Sequence, residues 1–123
     1  MQRFRFVVVL VACAGMLGAC VGPSAECAAL PDEIELILSR TTLTPSDPAV
    51  CRGDEITMTV RPQVDGVLHV HGYDEELPAT TVVEGEVIEL AFTAARSGQF
   101  PIELHTDENT QGVNVGLLTV HEP

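Results

Sequence analysis

The stretch Val67–Asp74, VLHVHGYD, sets two histidines one residue apart, and Gly98–His105, GQFPIELH, ends in a third. Neutral imidazole suits Zn and Cu(II), and residues i and i+2 of a strand share a face, so His69 and His71 are spaced to share one ion. Two ligands do not hold a metal tightly. His105 is the candidate third, and Asp74 or His121 the candidate fourth donor or hydrogen-bonding support. The alternative is that Leu68 and Val70 take the core while His69 and His71 sit with Tyr73 on the opposite, partly wet face and make ordinary hydrogen bonds. Gly72 then marks a bulge or bend.

Other chemistries lack their residues. Ser24, Ser39, Ser46 and Ser97 follow any cleaved leader, and none sits in a G-x-S-x-G elbow. No Gly-rich loop has phosphate-cradling spacing. Asp74-Glu75-Glu76 and Asp107-Glu108 lack the ligand spacing of a calcium loop. A single Tyr and no Trp leave no stacking platform for sugars or single strands. An enzyme is not expected.

The elements that position the histidines read as strands. Ile34, Leu36 and Leu38 alternate with Glu33 and Glu35; Ile56, Met58 and Val60 alternate with Glu55, Thr57, Thr59 and Arg61. Between them, Thr42–Ala49, with Pro45 and Pro48, cannot continue a helix or a central strand. Asp65-Gly66 turns the chain into the histidine strand. Thr80–Val83 is a short β-rich piece, and Ile88, Leu90 and Phe92 are the inward side of the next strand. Phe100, Ile102 and Leu104 point inward, with Glu103 and His105 outward. Thr106–Gly112 reads as a polar loop and Val113–His121 as the last strand, with Leu118 and Val120 inward. No segment carries a convincing helical stripe. Six to eight short strands with regular turns predict an all-β fold, an antiparallel β-sandwich.

The N-terminus reads as an address. Arg3 and Arg5 precede an apolar run, Phe6–Leu17, of signal-peptide length and too short to span a bilayer comfortably. It ends in Leu17-Gly18-Ala19-Cys20, which resembles a bacterial lipobox. The resemblance implies cleavage after residue 19, lipid on Cys20, and acyl chains that hold the protein on a membrane at ~0.8 kcal/mol per buried methylene. The expected organisation is a signal peptide over 1–19, an anchor and tether over 20–31, and one domain over 32–123. The protein is then exported, on the outer face of the cell membrane or in the periplasm. Cys13 leaves with the signal and Cys20 is taken by lipid, so Cys27 and Cys51 are expected to form a disulfide in that oxidising compartment. There is no lysine; past the leader four arginines face all 18 acidic residues, which excludes nucleic acid and anionic lipid as electrostatic partners.

The order of a strand ending in His69-x-His71-Gly-Tyr-Asp, a strand running into Phe92-Thr93-Ala94, the turn Ser97-Gly98, the strand Phe100–Leu104, a loop, and Gly116-Leu-Leu-Thr-Val120 resembles the Greek-key cupredoxin fold of plastocyanin-like proteins. The likeness covers most of Glu33–Val120. It implies copper held by an upstream histidine, then a cysteine, a histidine and usually a methionine around the last loop. His69 stands at the upstream position. Leu104 falls where the cysteine belongs, and Thr106–Val115 holds neither histidine nor methionine. A blue site needs a thiolate to hold and tune copper, and Met58, in an alternating apolar strand, reads as core.

Two functions stand open at this point. In one, the fold has no cofactor and is a non-catalytic recognition or structural module for an envelope protein partner. In the other, copper or zinc binds through His69, His71 and His105, and the domain is a store, chaperone or sensor.

Overall fold

The computed structural model describes Gly22 and residues 24–123. The signal peptide expected over 1–19, the lipobox and Cys20 lie outside the described residues. One helical turn, α1 (Ala25–Ala28), precedes nine strands among the described residues: β1 (Glu33–Leu38), β2 (Leu43–Thr44), β3 (Ala49–Cys51), β4 (Glu55–Pro62), β5 (Gly66–Val70), β6 (Thr80–Val82), β7 (Ile88–Thr93), β8 (Gly98–Thr106) and β9 (Asn109–His121). They form two sheets, ordered β2-β1-β4-β7 and β3-β9-β8-β5-β6.

Alternation builds the core between them. β1 buries Ile34, Leu36 and Leu38 and exposes the residues between. β4 buries Ile56, Met58 and Val60, so Met58 is indeed core. From the second sheet come Leu68 and Val70 of β5, Ile102 and Leu104 of β8, and Val115, Leu118 and Val120 of β9. Each fully buried apolar side chain of this size contributes roughly 1.5–3 kcal/mol.

The sheets are mixed rather than purely antiparallel. β1 runs parallel to β4 (Glu33↔Thr57 through Leu38↔Pro62), and β3 parallel to β9. The cause is the Thr42–Ala49 connection. Its prolines break the ladder, and the chain passes from β2 at one edge of the first sheet to β3 at one edge of the second. It then returns to lay β4 beside β1 in the same direction.

The expected polar loop over Thr106–Gly112 is also shorter than its composition indicated. β8 and β9 pair as far as Thr106↔Asn109, leaving Asp107 and Glu108 as the turn. At the other end of the domain, the stretch read as tether is partly structured. Ser24 caps α1, its Oγ accepting from the Cys27 N–H at 3.2 Å, with acidic Glu26 in the first turn.

Cys27 and Cys51 are joined, both nearly out of solvent, which ties α1 to the β3 edge of the second sheet. The 24-residue separation corresponds to ~3.5 kcal/mol in the chain-entropy model of disulfide stabilisation. Cys27→Ala with Cys51→Ala is therefore expected to lower the urea midpoint while leaving the β-sheet circular dichroism intact. An unchanged midpoint would contradict a stabilising crosslink.

Candidate metal centre on the second sheet

β5 and β8 pair antiparallel with Leu68↔Leu104 and Val70↔Ile102 turned inward, so His69↔Glu103 and Val67↔His105 are turned outward. His71 is one residue past β5, its N–H still donating to Pro101 O at 2.9 Å, which keeps its side chain on the outward face. Three histidines therefore share one patch. The ring centroids of His69 and His71 are 4.4 Å apart, and those of His69 and His105 6.4 Å.

Two carboxylates belong to the patch. Glu103 Oε2 lies 2.7 Å from His71 Nε2 and 3.5 Å from His105 Nε2, so both nitrogens lie near one oxygen. His105 Nδ1 is 3.1 Å from Thr110 O. His69 Nε2 lies 2.5 Å from Asp74 Oδ1. These contacts hold both carboxyls below the usual carboxylate range, Glu103 chiefly through the His71 hydrogen bond and Asp74 chiefly through that of His69. With the side chains so turned, no three His, Cys, Asp or Glu groups among the described residues are set around a single ion point.

His121 stands elsewhere. It pairs with Cys51, and its Nδ1 is 3.4 Å from Glu26 Oε1, at the far end of β9 from the hairpin that carries His105. Tyr73 departs from the wet-face expectation. Gly72, at φ 81°, turns the chain after His71 and sends Tyr73 into the core, fully buried. Its hydroxyl donates to Arg96 O at 2.6 Å and accepts from the Arg96 N–H at 3.0 Å, while its ring meets Phe100 edge-on at 4.5 Å. Glu103 is the site residue that the histidine spacing did not mark. The available signal was its place on the same outward face as His105; its partner across the sheet appears only with the register. An open groove of about 730 Å³ beside the hairpin touches the patch only through His105 and Val67.

Neither a family model nor a curated protein matches the sequence. Solved structures do match the fold. Auracyanin from the photosynthetic bacterium Roseiflexus castenholzii shares 18% identity, with 75% of this chain and 98% of that chain covered and a TM-score of 0.59. The fold is cupredoxin-like. The metal binding domain of the Streptococcus pneumoniae D39 Cu(I)-exporting P-type ATPase CopA, solved with Cu(I), matches at 15% identity over 73% of this chain and 85% of that chain, TM-score 0.55. The blue copper oxidase from Nitrosomonas europaea matches at 16% identity and TM-score 0.55 over 73% of this chain, which spans 38% of that chain.

The thiolate copper set that a cupredoxin-like fold brings to mind does not fit these residues. Leu104, where the resemblance puts the cysteine, is fully buried and faces Leu68 on the opposite face of the sheet from His69 and His105. The two-residue Asp107–Glu108 turn offers no chain for further ligands. Leu104→Cys is accordingly expected to give no intense thiolate-to-copper band in visible absorption when Cu(II) is added. Appearance of such a band would contradict the inward placement of residue 104.

Proposed function

We propose that the protein is an exported lipoprotein whose cupredoxin-like domain binds one copper or zinc ion on the outer face of the second sheet, through His69, His71 and His105. Its role is non-catalytic: a store, chaperone or sensor in the cell envelope. The observation that carries this reading is the convergence of His71 Nε2 and His105 Nε2 on a single Glu103 oxygen, with the His69 ring directly beside that of His71.

An ion at that point needs imidazole nitrogens within about 2.0–2.1 Å for zinc. The side chains would have to turn to bring them there. His69 and His105 are partly exposed and His71 more so, and the backbone already supplies one face and adjacent strands. His69 must leave Asp74, giving up one solvent-exposed hydrogen bond for a new bond to a divalent cation. The excess of acids over arginines attracts cations to the surface.

Export and anchoring are supported by the order of basic residues, apolar run and Cys20, and by the joined Cys27 and Cys51. The fold likeness to a Cu(I) exporter's metal binding domain supports a metal role. A second reading, a recognition or structural module, is favoured by the contacts of Asp74 and Glu103, which satisfy His69 and His71 without any metal.

The two readings separate on the full chain expressed in bacteria and recovered from membranes in detergent. Membrane recovery is expected to depend on Cys20, with Cys20→Ala left unprocessed. Calorimetric titration with Cu(II) and Zn(II) is expected to show binding tighter than about micromolar, lost in His69→Ala and in His71→Ala. Weaker binding, or binding indifferent to both substitutions, would contradict the metal reading and leave the recognition module.

A further inference from the structure

Glu103 is the group around which the histidines are arranged, and the local backbone is irregular where it stands. The β8–β9 register shifts between Ile102 and Glu103 and again between Leu104 and Thr106. Such bulges re-aim side chains and are common beside functional sites. On β9, Gly112 has φ 88°, and a Cβ there would lie 2.7 Å from His105 Cε1, 3.0 Å from His105 Nε2 and 3.1 Å from Glu103 Oε2. A side chain at 112 would fill the space between Glu103 and His105, so the missing Cβ keeps both groups free to meet the same point.

The charge around Glu103 is also incomplete. Every arginine among the described residues makes its ion pair elsewhere: Arg40 with Glu108, Arg52 with Glu122, Arg61 with Glu35 and Arg96 with Glu76. Glu103, with 27% of its side chain exposed, faces only imidazoles. Asp74, across the patch, likewise has no guanidinium partner among the described residues; it meets His69 and backbone N–H groups of Gly72 and its own residue. Two carboxylates and three imidazoles in one place, with no guanidinium among them, form a donor set whose charge a divalent cation completes.

No sulfur among the described residues joins that set. Cys27 and Cys51 are bonded to each other, and Met58 is buried on β4 of the other sheet. Soft thiolate and thioether donors select Cu(I), imidazole suits Cu(II), and affinity for nitrogen and oxygen donors peaks at Cu(II) among the divalent ions. We infer that Glu103 is the fourth ligand beside His69, His71 and His105, and that the site takes Cu(II) in preference to Cu(I) and Zn(II). The inference rests on the metal-binding reading above and adds to it a ligand and an oxidation state.

The test compares wild type, Glu103→Gln and Glu103→Asp as full-length detergent-solubilised protein. Each is titrated with Cu(II) against a Cu(II) chelator, with Zn(II) against a Zn(II) chelator, and with Cu(I) against a Cu(I) chelator under anaerobic conditions. Cu(II) spectra are recorded by electron paramagnetic resonance, and thermal melts check that each variant is folded. Wild type is expected to bind Cu(II) tightest. Glu103→Gln is expected to lose at least the roughly ten-fold in Cu(II) affinity that loss of even a supporting partner brings, and to shift the Cu(II) spectrum. Glu103→Asp, which keeps the charge, recovers part of the loss. Equal Cu(II) affinity and an identical spectrum in folded Glu103→Gln would overturn the role of Glu103. Cu(I) or Zn(II) held as tightly as Cu(II) would overturn the selectivity while leaving the three-histidine site standing. Failure of wild type to bind any of the three ions would overturn the metal-binding reading itself.

Discussion

The register of β5 against β8 is the constraint from which the rest follows. Leu68 faces Leu104 and Val70 faces Ile102 in the core, so His69 must face Glu103, and His105 must sit beside Val67, on the outer surface. Because strand side chains alternate with period two, a slip of β5 by one residue would turn Leu68 and Val70 out into water. At roughly 1.5–3 kcal/mol each, that loss is a large share of the roughly 5–15 kcal/mol that holds a whole domain together. Core packing therefore decides where the imidazoles stand.

The same register removes the chemistry that a cupredoxin-like fold first brings to mind. Copper held by thiolate needs a sulfur on the same side of the sheet as its imidazoles, and position 104 is on the other side, filled by a leucine. What remains is a patch of nitrogen and oxygen donors on the sheet surface, flanked by two bulges and by Gly112, and far from the buried disulfide that secures the N-terminal turn. Its carboxylates are held ionised by the imidazoles that hydrogen-bond to them.

Much of this was readable in the sequence, for a physical reason. A strand with one buried face must alternate, so Ile34-Leu36-Leu38, Ile56-Met58-Val60 and Ile102-Leu104 declared both their structure and their inward side. Direction was not readable, because alternation is the same in parallel and antiparallel pairs; hence the β1–β4 and β3–β9 pairings emerge only in the fold. The start of β9 was hidden because Asn109–Gly112, at the exposed end of a hairpin, has the composition of a loop. Tyr73 leaves the wet face that alternation predicts because a positive φ at Gly72 breaks the alternation just before it. Within the site, the spacing of His69 and His71 announced a shared face. The nearness of His105 and the central position of Glu103 depend on which residue of β8 meets which residue of β5, a fact about two distant segments that neither carries alone.

The central claim is that His69, His71 and His105 hold one ion without sulfur. X-ray absorption at the copper edge of the Cu(II)-loaded protein measures this most directly. A shell of nitrogen and oxygen only is expected, with outer scattering from three imidazole rings. A sulfur scatterer at bonding distance, or scattering from a single imidazole, would contradict it.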